Sequence, residues 1–584
     1  MRMQKGRMVS VALGFLIAST IWLTGAQIKN DNTFNYNALL ETAIEKGLVR
    51  VIVEMNVPDM EQLTSVSTNY KTGEAQKASV QYALDADLAL DKAISQKRNE
   101  VLQQLNGTEY HVNRSYSTVP AIAISCTPEA LQRLISASGV LRVLEDKAMP
   151  LPKTEQIIET SLAEPDKPML NRSTEIVGAN VAWSLGYAGQ GWYVAVLDTG
   201  IYRNHDMFRS KNIVEQCYSL GEDEGYGGYG DCPNGRSEMS GLGAAAHYQL
   251  RFNHGTHVSG IAAGNDLGSH FGVAKDAGII AVQVFSYFHS EDDVMSWSSD
   301  QLKGLEYIYL LRNTYNIAAV NMSLGGGYYT DFCNYSSLTN AIQNLKAVGI
   351  ATVIASGNDA NCDGISAPGC IQSAIAVNGT NKVDEEYYWG NWSNLMVSLM
   401  APGQSINSAV TSSSSSYASY SGTSMATPHV TGAWAILKSF AGNLSVDEIL
   451  KLFKDTGTMI SSIHCPGNTP KPRINIGDAL MTLFRVAPPV NASGTQQRNK
   501  TFLQVEFINV LSWQDNPLNA NREIIHYRVY KLNDNQLSLL SEMPPTTHTY
   551  WHRGVGERVT TQYAFSTVDN KGEESPLNYY TLTL

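Results

Sequence analysis

The sequence predicts an α/β protein with a doubly wound parallel sheet at its centre. A ferredoxin-like α+β unit precedes that sheet and a small β-sandwich follows it. Three observations carry the prediction. Between about residues 170 and 485, short runs apolar on both faces alternate with helical segments. Strands with two apolar faces need cover on both sides, which helices between parallel strands supply. Residues from about 45 to 148 read in the order β-α-β-β-α-β, the split βαβ plan. The last hundred residues alternate apolar and polar positions between turn-rich stretches, as a sandwich does. At 584 residues the chain exceeds one ordinary core. The expected divisions are 1–26, 27–155, 156–486 and 487–584.

Each element has its own signal. In the first unit, Val49 to Met55 reads as a strand and Asp85 to Leu105 as a helix stopped by Asn106-Gly107. His111–Ser117 and Ala121–Cys126 read as two more strands. Thr127 caps a second helix with Pro128 at its first position, and Gly139 lies past its end, the expected asymmetry. Val140 to Leu144 is a last strand. Residues 149–168 hold four prolines and three glutamates without a period, which reads as a linker that a protease could cut.

The central strands are expected at Trp192–Leu197, Gly278–Phe285, Ala319–Leu324, Ile350–Ala355 and Ala374–Val377. Helices are expected near 298–315 and 335–348, and Ser445-Val-Asp-Glu448 forms a capping box for a helix through Lys454. In the last region Val505–Trp513, Ile524–Tyr530 and Gln562–Val568 alternate, with Trp513 and Tyr563 as core aromatics.

Export is written at the N-terminus. Arg2, Lys5 and Arg7 precede an uncharged, mostly apolar run from Met8 to Leu23, then Gly25 and Ala26. This is the order of a cleavable secretory signal, and the run is short for a membrane span. Six of the seven cysteines (Cys217, Cys232, Cys333, Cys362, Cys370, Cys465) fall in the central region. In an exported protein they suggest up to three disulfides, with Cys217 and Cys232 the nearest local pair and Cys126 left over. The net charge of -12, with no basic stripe, argues against nucleic acid as a partner.

Hydrolysis by a hydroxyl needs a serine, a histidine to take its proton, an anion to orient that histidine, and donors for the oxyanion. Candidates lie in order along the central region. Asp198 ends a buried strand in VAVLDTG, at the sheet edge where ligand crevices form. His254 opens HGTHVSG. His257 lies three residues on, without the four-residue spacing and glutamate of a metalloprotease pair, and reads as a packed neighbour. Ser424 lies in SGTSMATPHVTGA, where a helix start offers free N–H groups and a positive dipole end. Its surroundings are not the Gly-x-Ser-x-Gly elbow. Asn358 follows the strand ATVIASG and could donate to an oxyanion.

Together VAVLDTG, HGTHVSG, NMSLGG, ASGN and SGTSMATPH resemble the subtilisin-like serine peptidases, over roughly 170–485. The resemblance implies a triad of Asp198, His254 and Ser424, with Asn358 and the Ser424 N–H forming the oxyanion hole. It implies that Ser323, Leu324, Gly325 and Gly326 pair with the substrate backbone, and that Ala355, Ser356 and Gly357 line a side-chain pocket. It implies that residues before about 155 are an inhibitory propeptide whose end occupies the active site. The last hundred residues resemble a fibronectin type III module.

The expected protein is therefore a secreted, self-processing serine endopeptidase that acts as a monomer on proteins and needs no cofactor for its chemistry. The propeptide is its own inhibitor and chaperone, and no membrane holds it after signal removal. Rival readings are a binding protein on an inactive scaffold, a narrow processing enzyme, and an adhesin acting through the last module. Two departures stand out. The long span between Asp198 and His254 carries Glu222, Asp223, Glu224 and Asp231, which offer oxygens for structural calcium or a solvated loop. The segment from Gly264 to Gly272 looks short for the family's calcium loop. Asp359 either biases the pocket toward basic side chains or is a surface residue.

Overall fold

The computed structural model describes residues 36–58, 76–152, 155–156, 169–222, 230–246, 252–484, 486–501, 504–520, 522–533 and 536–583. The expected export signal and most of the expected proline-rich linker lie outside them. The chain divides into two compact units, one running to Lys147 and one beginning at Ala148.

The first unit holds an antiparallel sheet in the order Tyr110–Ser115, Ala121–Cys126, Val49–Met55, Val140–Glu145. Helices Gln76–Gln103 and Pro128–Ser136 make up the β-α-β-β-α-β order. Thr127 accepts from the Ala130 N–H, so the predicted cap is made. Leu90, Ile94, Leu131 and Leu134 pack on Val51, Val53, Ile122 and Ile124 to form the core. Cys126 is buried there as a free thiol.

The second unit is built on a ten-stranded sheet. Its order is Thr458–Ile460, Lys471–Arg473, Val397–Pro402, Ile375–Thr380, Ala351–Ala355, Ile317–Met322, Tyr193–Asp198, Gly278–Gln283, Ile213–Tyr218, Glu238–Ser240. The inner pairs are parallel. The two outermost strands are antiparallel, which the expected all-parallel sheet did not include. Each is only three residues long, too short to show a period. Strands such as Ile317–Met322 are buried at every position, as burial on both faces requires.

Two helices position the site. His254–Ala263 is buried throughout. Thr423–Phe440 is buried from Thr423 to Lys438 and carries Trp434 into the core. The two cross closely at Gly432, where a Cβ would press on the Ala262 carbonyl and on Val273. The predicted capping box at Ser445 and Glu448 is formed.

The C-terminal strands form two antiparallel sheets, one of three strands and one of four. Leu511 and Trp513 of the first pack on Tyr527, Val529, Tyr563 and Phe565 of the second. The Tyr563 hydroxyl is satisfied by Asn509 and His552. Three disulfides join Cys217–Cys232, Cys333–Cys370 and Cys362–Cys465.

Candidate active site

Asp198 is the last residue of its parallel strand and His254 the first of its helix. Their approach depends on glycine. A Cβ on Gly255 would run into the Gly200 carbonyl oxygen, so only glycine lets the helix start sit this close to the strand end. Thr199 fastens the contact. Its hydroxyl donates to the Phe252 carbonyl and accepts from the Gly255 N–H. As a result His254 Nδ1 lies 2.8 Å from Asp198 Oδ1 and 3.0 Å from Oδ2. Asp198 also accepts from the Thr199 N–H. An ionised carboxylate makes His254 Nδ1 the protonated nitrogen and leaves Nε2 as the basic one. His254 Nε2 is buried and has no hydrogen-bond partner among the described residues.

Ser424 is fully buried and is the second residue of its helix, after Gly422 as the cap. An N–H in the first turn has no partner within the helix. The Ser424 hydroxyl donates to the Ser323 carbonyl at 3.4 Å, and the Ser323 hydroxyl donates to the Ser424 carbonyl at 2.8 Å. This pair ties the helix to the loop after Ile317–Met322. Asn321 donates to Ser323 Oγ and accepts from Thr431, which extends the tie. Asn358 stands beside the same helix start. Its Oδ1 accepts from the Thr423 N–H at 2.8 Å and from the Thr423 hydroxyl at 2.9 Å. That fixes the amide plane, and with it the direction of the side-chain donor.

The structure thus brings Asp198, His254, Ser424, Ser323 and Asn358 to one edge of the sheet. It joins Asp198 to His254 directly, while the Ser424 hydroxyl is turned to Ser323. Apo geometry of this kind tightens in a substrate complex.

Ser356 and Gly357 are held in place by hydrogen bonds and close packing. Ser356 is buried and its carbonyl accepts from the Ser366 N–H. Gly357 has a φ of +105°, and a Cβ there would strike Asn391 and Ser366. Asn391 holds the turn that carries Asn358. Its Oδ1 accepts from the Asp359 and Asn361 N–H groups, and its Nδ2 donates to the Ser356 carbonyl. Asp359 is exposed and contacts Asn391. His257 stacks on Tyr420 at 4.5 Å and is bonded to the Ala418 carbonyl. Burial pushes its pKa down to about 3, so it stays neutral, as a packed neighbour should.

Sequence reasoning missed several supports. Thr423 and Asn321 are polar residues in small-residue stretches and Asn391 lies between tryptophans, and their roles are visible only across strands. Asn321 and Asn391 also begin Asn-x-Ser triplets, but both are fully buried. The largest omission is the strand Asp293–Trp297. The chain's own residues Ala148–Pro150 pair with it antiparallel. Met149 Cγ lies 3.7 Å from where a Cβ on Gly326 would be, so the segment runs between this strand and Ser323–Gly326.

The acidic loop residues that are described bind backbone. Asp231 accepts from the Tyr287 N–H, and Glu222 from the Ser290 N–H. Asp223 and Glu224 lie outside the described residues. The Gly264–Gly272 loop is closed by Asp266, whose Oδ1 accepts from Gly268, Ser269 and His270 N–H groups. Its Oδ2 meets His270 Nδ1 at 2.8 Å, and His270 stacks on Tyr417 at 3.9 Å.

A strand-end carboxylate paired with a helix-start histidine, at the same sheet edge as a helix-start serine, is the set of groups that hydrolysis by a hydroxyl needs. Residues 189–475, which carry all of these groups, match the model of the Subtilase family, Peptidase_S8. The central region has a mainly parallel sheet covered by helices. Alkaline protease 1 of Aspergillus flavus is 31% identical over 271 residues, 45% of this chain and 57% of that protein. The extracellular serine proteinase of Thermus sp. (strain Rt41A) is 34% identical over 42% of this chain and 50% of its own length. The alkaline protease of Alkalihalobacillus alcalophilus is 29% identical over 63% of this chain and 82% of its own. The chain thus spans between half and about three fifths of the first curated relatives it matches. A cold adapted subtilisin-like serine proteinase of known structure is 28% identical with a TM-score of 0.37, covering 49% of this chain and 89% of that one.

Proposed function

We propose that this chain is an exported serine endopeptidase that hydrolyses protein substrates through an acyl-enzyme on Ser424, and that it is made as a self-processing precursor. The observation that carries this reading is the buried Asp198–His254 pair with an unpartnered Nε2, set beside a serine at a helix start.

In this reading His254 Nε2 takes the Ser424 proton as the hydroxyl leaves the Ser323 carbonyl and attacks. Asp198 stabilises the imidazolium that forms. The Ser424 N–H and Asn358 Nδ2 receive the oxyanion. His254 then protonates the leaving amine, and water repeats the cycle in reverse to release the acyl product. No cofactor enters these steps. The substrate lies as an added strand between Asp293–Trp297 and Ser323–Gly326. Ala355, Ser356 and Gly357 wall the pocket for the side chain at the cut. The three disulfides support an oxidising compartment. The two C-terminal sheets suit a fibronectin type III-like module.

Cleavage of denatured casein by the secreted protein tests the reading. The wild type is expected to cleave it and Ser424→Ala to be inert. Equal cleavage by both would overturn it.

A further inference from the structure

The turn that carries Asn358 is strained and is held from outside. Gly357 has a φ of +105° and Ala360 a φ of +53°, so left-handed residues stand on both sides of Asn358 and Asp359. Ala360 has a Cβ, and that conformation is disfavoured for it. Strain of this kind persists only where the surroundings over-determine it.

One side chain ties both ends of the turn. Asn391 is fully buried. Its Oδ1 accepts from the Asp359 N–H at 2.9 Å and from the Asn361 N–H at 3.1 Å. Its Nδ2 donates to the Ser356 carbonyl at 3.2 Å and to Asp359 Oδ2 at 3.3 Å. These use both acceptor sites and both donors of the amide. The Asn391 N–H adds a bond to the Gly357 carbonyl at 2.9 Å. Its neighbours close the frame. The Trp392 N–H donates to the Asn361 carbonyl at 2.7 Å, and the Trp389 carbonyl accepts from the Ala360 N–H at 2.9 Å. These bonds fix residues on either side of Asn358 and do not involve Asn358 itself. The Asn358 amide is oriented separately, by Thr423. The packing is close, because a Cβ on Gly357 would lie 2.3 Å from Asn391 Nδ2.

We propose that Asn391 is a positioning residue for the oxyanion step. It sets the turnover rate by fixing the backbone that aims Asn358, and it acts through that turn rather than on the substrate. The inference rests on the serine-peptidase reading above and adds a determinant of its rate. A fully satisfied buried amide rigidifies what it joins. A group displaced by about 1 Å can cost on the order of 100-fold in rate. The oxyanion forms only after attack, so loss of aim weakens the hold on the transition state and spares substrate binding.

The test compares Asn391→Ala with Asn394→Ala. Asn394 lies three residues on and also makes several hydrogen bonds, but to the loop at Asn468 and Thr469. On a peptide that the wild type cleaves, Asn391→Ala is expected to lose roughly 30- to 100-fold in kcat, with KM within about threefold. Its affinity for a peptide boronate, whose adduct with Ser424 places an oxygen where the oxyanion forms, is expected to fall by a similar factor. Its affinity for the product peptide with a free carboxylate should stay within about threefold. Asn394→Ala should leave all of these within about twofold. Asn391→Asp keeps the shape and the acceptor oxygen but has no donor for the Ser356 carbonyl. It is expected to show the same split, and it stands in if Asn391→Ala does not fold. A kcat loss under about tenfold, or boronate and product affinities that fall together, would overturn the inference. Cleavage of the peptide by Ser424→Ala at the wild-type rate would instead remove the serine-peptidase reading beneath it.

Discussion

The central sheet and the C-terminal sandwich use polar residues in opposite ways. Along Ile317–Met322 and Ala351–Ala355 every position is buried. Along Gln536–Met543 and Thr549–Val555 most positions are exposed or half-exposed. A polar side chain in the first region has no water to turn to, so it must be paired or held for a purpose. Asn321, Ser323, Thr423 and Asn391 are all paired, and all converge on the loops that carry Ser424 and Asn358. In the sandwich, Arg528, Glu542 and Glu574 form their ion network in solvent reach. These buried, paired groups of the central sheet support the loops at its edge, whereas the ion network of the sandwich lies on its surface.

The comparison breaks most sharply at the proposed triad. His254→Ala should lower kcat on a peptide substrate by a factor on the order of 10⁶, since triad members fail together. Arg528→Ala in the sandwich should leave kcat within about twofold. A comparable loss from both would erase the distinction.

The next effect in size is at the proposed oxyanion donors. Asn358→Ala should cost about 100- to 1000-fold in kcat with little change in KM. Thr423→Val keeps the side-chain shape but removes one of the two anchors on Asn358 Oδ1. A hydrogen bond of about 1–1.5 kcal/mol corresponds to roughly a tenfold loss. Steady-state kinetics on one chromogenic peptide measures both. A rise in KM alone, with kcat unchanged, would show that Asn358 serves binding and not the transition state.

Acid sharpens the contrast. His257 titrates near 6.5 when unfolded and at about 3 in its buried place. Its contribution to stability is complete above pH 6.5 and is lost as pH falls through 3. Asp266 is held below the usual carboxylate range by the N–H groups of His270, Gly268 and Ser269 and by the His270 ring, against the opposing effect of partial burial. Its contribution is complete above about pH 4 and declines below it. Thermal unfolding should show a falling Tm from pH 6 to pH 3. His257→Phe should flatten the upper part of that fall, and Asp266→Asn the lower part. A Tm that rises on acidification would contradict both assignments.

The smallest effect is expected from deleting the sandwich after residue 486. Catalysis on a short peptide should stay within about twofold of the full chain. A loss above tenfold would mean that the last region supports the site.

Most of the fold was legible because long periodic segments announce themselves. The parallel strands, the ferredoxin-like order and the capping box at Ser445 came from period and cap signals. The site was legible where a motif and a strand or helix end coincide, as at Asp198, His254 and Ser424. What escaped was set by contacts distant in sequence. Asp293–Trp297 follows Glu291 and Asp292, which read as loop, and its partner Ala148–Pro150 sits in a proline-rich linker. Asn391 looked like a modification triplet, because its bonds go to residues some 30 positions earlier. The antiparallel edges and the pairing of the remaining four cysteines left no local mark.

The most direct test of the account is intact-mass analysis of the mature protein after a fluorophosphonate, with peptide mapping. The account predicts one adduct, on Ser424, that is absent in Ser424→Ala and greatly slowed in His254→Ala. An unlabelled mature chain, or an adduct on another serine, would contradict it.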